Sequence, residues 1–98
     1  METLVDERDY HQLADAALGR IENRLEAADL DFEFATGGIL EVELADGTMI
    51  VINKQSATQE IWVAARSGGF HFRWDGADWV DTRSGEPLQA AVDRLAGL

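Results

Sequence analysis

The hydrophobic pattern of this chain changes period near residue 30 and again near residue 87, and that switch constrains the fold more than any other feature. Leu13, Ala17, Ile21, Leu25 and Ala28 recur at helical spacing, which predicts a helix over about Leu4–Ala28. Thr3 followed by Asp6 resembles a capping box, and Asp6, Glu7 and Asp9 complement the positive end of a helix dipole. From residue 31 the period is two. Asp31-Phe32-Glu33-Phe34 sets acids outward and aromatics inward, Thr36-Gly37-Gly38 turns the chain, and Leu40-Glu41-Val42-Glu43-Leu44 alternates again. Asp46-Gly47 predicts a type I′ hairpin turn into a β-branched strand over Thr48–Asn53. Further strands follow at Glu60–Ala64, Phe70–Trp74 and around Trp79-Val80, separated by Ser67-Gly68-Gly69 and Asp75-Gly76. Ser84-Gly85-Glu86-Pro87 then opens a last helix, with Pro87 in its first turn and Leu88, Val92 and Leu95 on its apolar face. Hairpin-length connections require an antiparallel sheet, and two amphipathic helices can cover one of its faces. The expectation is an α+β, two-layer sandwich: about six antiparallel strands with the N- and C-terminal helices packed on one side, in one domain over 1–98.

Composition removes several function classes. The chain has no cysteine, so disulfides, thiolate metal sites and cysteine nucleophiles are excluded. A formal net charge of −11 disfavours nucleic acid, whose phosphates need clustered Lys and Arg. No apolar run approaches a membrane span and Met1–Glu7 lacks the pattern of a signal peptide, so a soluble, cytoplasmic protein is expected. The charge is also lopsided. Residues 1–46 hold thirteen acids and three bases, whereas residues 47–98 hold six acids and five bases.

At about 100° per residue, Asp15, Glu22, Glu26 and Asp29 share one narrow arc of the first helix, with His11 just beside it. Like charges at these spacings destabilise a helix by a few tenths of a kcal/mol each, roughly, so the stripe has a cost. Oxygen ligands with little nitrogen and no sulfur suit Mg²⁺, Ca²⁺, Mn²⁺ or iron. Asp31 and Glu33 would extend the stripe if their strand lies beside the helix. A solvated acidic face is the competing reading, because no compact ligand motif accompanies the stripe. Strand parity points to a second surface. If Ile61 and Val63 face the helices, Trp62 faces away, and the same parity puts Asn53, His71 and Arg73 outward while Phe70, Phe72 and Trp74 go in. An exposed Trp near Asn53, Gln55 and Arg73 resembles a binding hot spot. Trp74 and Trp79 belong to the expected core.

Val51-Ile52-Asn53-Lys54-Gln55, Gln59-Glu60-Ile61-Trp62-Val63-Ala64 and Gly68-Gly69-Phe70-His71-Phe72 together resemble the signature of the frataxin family. Tyr10-His11-Gln12-Leu13-Ala14-Asp15, Ile21-Glu22 and Arg83-Ser84-Gly85-Glu86 resemble its bacterial branch, and the likeness runs along essentially the whole chain. The resemblance implies an antiparallel sheet flanked by two terminal helices. It also implies a protein of iron–sulfur cluster assembly that binds Fe²⁺ and Fe³⁺ weakly at surface carboxylates. Such a protein would modulate a cysteine desulfurase and its iron–sulfur scaffold protein. Carried over, Glu22 and Glu26 match acids of the family's helical ridge, and Asp29, Asp31 and Glu33 its continuation. Asn53, Gln55 and Trp62 match exposed sheet positions used for partner contact. Glu60 stands where the family frequently has Gln, and Asn23, Ala27 and Ala28 stand where relatives often carry acids.

The leading expectation is therefore a non-enzymatic, iron-binding regulator of cluster assembly, a monomer unless metal neutralises the acids. The alternatives are a ferroxidase or iron store at surface carboxylates, and a generic acidic module that mimics nucleic acid. Hydrolase chemistry is poorer still, because no Gly-x-Ser-x-Gly is present and the two histidines fall on separate elements.

Overall fold

The computed structural model describes residues 5–35 and 38–98. Its elements are α1 (Glu7–Ala27), β1 (Asp31–Ala35), β2 (Ile39–Glu43), β3 (Met49–Gln55), β4 (Glu60–Ala65), β5 (Gly68–Trp74), β6 (Trp79–Asp81) and α2 (Leu88–Ala96). The six strands pair antiparallel in sequence order, β1-β2-β3-β4-β5-β6, as short connections require. Among the described residues, no helix is long and apolar enough to cross a membrane.

α1 begins later than the sequence suggests. Asp6 is the N-cap, its carboxylate accepting the Asp9 N–H at 2.8 Å, so the helix starts at Glu7 rather than Leu4. The expected Thr3 cap lies outside the described residues. The buried face is also rotated. Tyr10, Ala14 and Leu18 join Ala17, Ile21 and Leu25 in the core, while Leu13 and Ala28 are only partly buried. A helix lying on a broad sheet buries a stripe wider than one ridge, and small Ala14 and Ala17 let the backbone approach.

The inward sheet face is Leu40, Val42, Ile50, Ile52, Ile61, Val63, Phe72 and Trp79, which packs with that helix face and with Leu88, Ala91 and Val92 of α2. Each fully buried Val, Leu, Ile or Phe side chain contributes about 1.5–3 kcal/mol relative to exposure. Phe34 departs from its expected inward, buried place: it keeps 47% of its surface because β1 is an edge strand that the helices cover incompletely. Phe70 and Trp74 are half-buried rather than core, whereas Trp79 is fully buried with its ring edge-on to those of Tyr10 and Trp74.

The β2–β3 turn is not type I′. Only Gly47 is left-handed (φ +85°); Gly47 N–H donates to Leu44 C=O at 3.0 Å and Leu44 N–H to Thr48 C=O at 2.9 Å. That is the three-residue hairpin loop closed by a glycine bulge. Asp46 serves through its side chain instead, accepting from the Thr48 hydroxyl at 2.6 Å and the Thr48 N–H at 3.0 Å, bonds that hold its carboxyl below the usual range. The turn expected at Thr36-Gly37-Gly38 falls largely outside the described residues. Pro87 is the N-cap of α2 and bridges to Val80, so it precedes the first turn instead of occupying it.

A buried polar bond ties the helix layer to the sheet. Tyr10 donates its hydroxyl to the Glu60 carbonyl at 2.7 Å. Burial, opposed in part by the Gln55 backbone, pushes the phenol from 10.0 up to about 12. A raised folded-state value gives stability that is complete below the unfolded value and lost as pH rises through the folded one. Tyr10→Phe should therefore cost about 0.5–1.5 kcal/mol near neutral pH. The gap from the parent should narrow between pH 10.0 and about 12. Urea unfolding across that window checks it; a gap independent of pH would show that the phenol proton is not involved.

Candidate functional site

The acidic helix stripe starts at a lysine. Lys54, at the end of β3, donates to Asp15 at 2.7 Å, and its ammonium lies 3.2 Å from His11 Nδ1. Asp15 and His11 thus hold an internal cation between them, while Glu7 stands 3.9 Å from the other imidazole nitrogen. Farther along, Arg24 reaches across to Asp93 of α2 at 3.4 Å, which marks the flank of α1 that faces the second helix. At about 100° per residue, Glu22 and Glu26 lie on the opposite flank, and Asp29 follows just past the helix end.

Glu26 and Asp29 stand at the end of the helix that least tolerates acids, with Glu22 one turn before them. The carbonyl end of a helix carries partial negative charge, and each acid there costs about 0.3–1 kcal/mol. Asp29 adds backbone strain. It is left-handed, with φ 59°, in a helix-ending motif where Asp29 N–H donates to Glu26 C=O and Leu30 N–H to Leu25 C=O, both at 3.0 Å. α2 ends in the same way with a glycine, Gly97, in the equivalent place. Asp tolerates this conformation less well than Gly.

Asp31 and Glu33 continue the negative charge along the chain but not on the same layer. Their strand neighbours Phe32 and Phe34 oppose the inward Val42 and Leu40, so the two acids project from the face opposite the helices. There they meet two acids that the alternating pattern displayed but did not single out. Asp31 is paired with Glu43 and Glu33 with Glu41, and these four with Phe32 and Met49 line a shallow cleft of about 200 Å³. The missing information was register. Alternation placed Glu41 and Glu43 outward, but only the observed pairing puts them directly opposite the acids of β1. The negative surface therefore wraps the β1 edge, from the end of α1 to the open face of the sheet. Among the described residues, no three His, Asp or Glu side chains converge as a compact metal centre.

The second surface assembles as strand parity requires. Asn53 pairs with Trp62, and Trp62 with His71, across β3, β4 and β5. The Trp62 and His71 rings stack at 4.5 Å between centroids and 11° between planes. Gln55, Glu60 and Arg73 form the next row. Glu60 was not among the expected site residues, yet its carboxylate is buried and accepts from Trp62 Nε1 at 2.8 Å, Arg73 Nη2 at 2.8 Å and Thr58 Oγ1 at 3.2 Å.

A cavity of about 330 Å³ beside His71 includes Asp81, Arg83, Ser84, Glu86 and Arg94. Two of its charges satisfy each other: Arg94 grips Glu86 at 2.9 and 3.2 Å and lies 5.6 Å from the Phe70 ring centroid. The Asp81 carboxylate accepts the Arg83 N–H at 2.7 Å and the Ser84 N–H at 3.3 Å. That set fixes a turn and offers no nucleophile with an adjacent base.

Comparison with known proteins places the fold. The family profile described as a frataxin-like domain matches residues 3–97. The iron-sulfur cluster assembly protein CyaY of Dechloromonas aromatica is 54% identical over 94 residues, covering 94% of this chain and 90% of that protein. The protein of the same name from Cupriavidus pinatubonensis is 52% identical over 93 residues, covering 90% and 84%. Among solved structures, frataxin from Psychromonas ingrahamii, of the CyaY family, superposes with a TM-score of 0.79 at 29% identity, covering 95% of this chain and 93% of that one. Trimeric frataxin from the yeast Saccharomyces cerevisiae, complexed with ferrous iron, superposes with a TM-score of 0.64 at 27% identity, covering 100% and 92%.

The acidic quartet makes a direct stability prediction. Glu43→Lys, placed opposite Asp31, replaces repulsion by attraction and should stabilise the protein by about 0.2–1 kcal/mol. The gain should shrink at high salt. Thermal unfolding at low and high ionic strength tests this; a destabilised variant would mean that the acids do not oppose each other across the hairpin.

Proposed function

The chain belongs to the frataxin-like family, and on that premise we propose that it is a non-catalytic, iron-binding regulator of iron–sulfur cluster assembly. Iron is its cargo, held weakly by the carboxylates that wrap the β1 edge: Glu22, Glu26 and Asp29 at the end of α1, and Asp31 and Glu33 beyond it. Asp15 and His11 join that set only by displacing Lys54. The partners are a cysteine desulfurase, attracted by the acidic surface, and the scaffold protein, met by Asn53, Gln55, Trp62, His71 and Arg73 on the open sheet face.

One observation carries the reading: acids are concentrated where helix dipole, backbone conformation and cross-strand pairing each disfavour them. Such an arrangement lowers stability unless a cation or a basic surface relieves it. The ferrous complex of the yeast relative supports iron as that cation, and the names of the bacterial relatives support the assembly pathway. A surface without convergent ligands suits weak, exchangeable binding, whereas oxidation at a di-iron centre needs preorganised ligands. Metal that neutralises the edge would also remove the repulsion between copies, and the trimeric state of the yeast relative supports oligomers.

An anaerobic ¹⁵N NMR titration maps both surfaces. Fe²⁺ should perturb residues from Glu22 to Glu33, and desulfurase should perturb the same edge with an affinity that falls at least tenfold as ionic strength rises to about 0.5 M. Salt-independent affinity would refute electrostatic docking, and Fe²⁺ shifts confined to other elements would refute the iron site.

A further inference from the structure

Two carboxylates are buried among the described residues, Glu60 and Asp81, and they are used in opposite ways. Asp81 accepts backbone N–H groups of its own turn and is explained by folding alone. Glu60 is held by side chains of the open face, outside the core, and its partners include the one Trp on that face. A buried carboxylate is costly unless charge-assisted bonds satisfy it. Here Arg73 supplies the charge at one oxygen, at 2.8 Å, and the other oxygen is left to take the Trp62 indole N–H, also at 2.8 Å, with the Thr58 hydroxyl at 3.2 Å. The Glu60 backbone is fixed from the far side of the sheet, where Tyr10 of α1 donates to its carbonyl at 2.7 Å. The strand position that holds the indole is therefore pinned from both layers.

We propose that Glu60 is a positioning residue: its Arg73-paired carboxylate clamps the Trp62 indole N–H and holds the ring flat against His71, so that the sheet presents a preformed aromatic plate to a protein partner. The proposal rests on the reading of the open face as the scaffold-side docking surface. An indole free to rotate must be ordered when a partner binds, and a clamped one has lost that freedom already. Stacking alone does not choose between the two flipped orientations of the indole; the directed N–H bond does. The indole N–H also occupies its acceptor before binding, which leaves the ring face, rather than the polar edge, as the contact that Trp62 offers.

The test has a partner-free arm and a binding arm. In the free protein, Glu60→Leu, which removes the acceptor, should speed hydrogen exchange of the Trp62 indole N–H at least tenfold while β4 backbone amides keep their protection. Against purified desulfurase–scaffold complex, Glu60→Leu should weaken affinity roughly threefold to tenfold. In a Trp62→Phe background, which keeps a ring but has no N–H to clamp, the same change should cost less than about twofold. Unchanged indole exchange, or equal losses in both backgrounds, overturns the proposal. Where Glu60→Leu does not fold, Trp62→Phe alone carries the test: a threefold to tenfold loss is expected, and undiminished affinity overturns the clamp. Full affinity of Trp62→Ala would separately overturn the docking reading, and the proposal with it.

Discussion

Ile50, Ile52, Ile61, Val63 and Phe72 lie buried beneath two helices that cover only one side of the sheet, and both candidate surfaces depend on that asymmetry. A strand with one buried face cannot slip by one residue, because the slip would carry every apolar side chain into water. Once Ile52 and Ile61 are committed inward, Asn53 and Trp62 must face out, and His71 follows on the next strand. The same commitment sends Asp31, Glu33, Glu41 and Glu43 to the open face, because Phe32 and Val42 occupy the other. Burial thus determines the placement of groups that take no part in the core.

Against that favourable energy stands a local electrostatic penalty with a definite location. Asp6, Glu7 and Asp9 stabilise the start of α1, and Lys54 relieves Asp15 in its middle. Relief then stops. Glu26 and Asp29 sit at the negative end of the dipole, and the next four acids oppose each other in pairs across a hairpin. The β1 edge is consequently both strongly negative and the open edge of the sheet, and its charges discourage edge-to-edge association of copies. The open face beyond it is different in kind, a stacked Trp–His pair over a neutralised Glu–Arg pair, suited to contact rather than to steering.

Much of this was legible in the sequence, because the two periods of the hydrophobic pattern report directly on burial. Element order, the antiparallel sheet, the flank carrying Glu22 and Glu26, and the outward Trp62 all follow from phase and parity. What did not follow depends on which local side chain captures a backbone group, or on tertiary partners. Asp6 displaces the expected start of α1 because its carboxylate reaches Asp9. The Asp46-Gly47 turn keeps a hairpin but changes type, since Thr48 captures the Asp46 side chain. Phe34 is exposed because strand order, invisible to alternation, puts it at an edge. Lys54 between His11 and Asp15, Glu41 and Glu43 opposite β1, and Glu60 beneath Trp62 all require register or a crossing of layers that no local pattern encodes.

The central claim is that the β1-edge acids are kept at the expense of stability in order to meet positive charge. The most direct measurement is one variant carrying Asp29→Asn, Asp31→Asn and Glu33→Gln, followed by urea unfolding without metal and by anaerobic Fe²⁺ binding. The account predicts a more stable protein, by about 0.5–2 kcal/mol from the summed helix-end and cross-strand penalties, together with Fe²⁺ affinity reduced at least tenfold. A variant that is less stable, or that binds Fe²⁺ as the parent does, would contradict it.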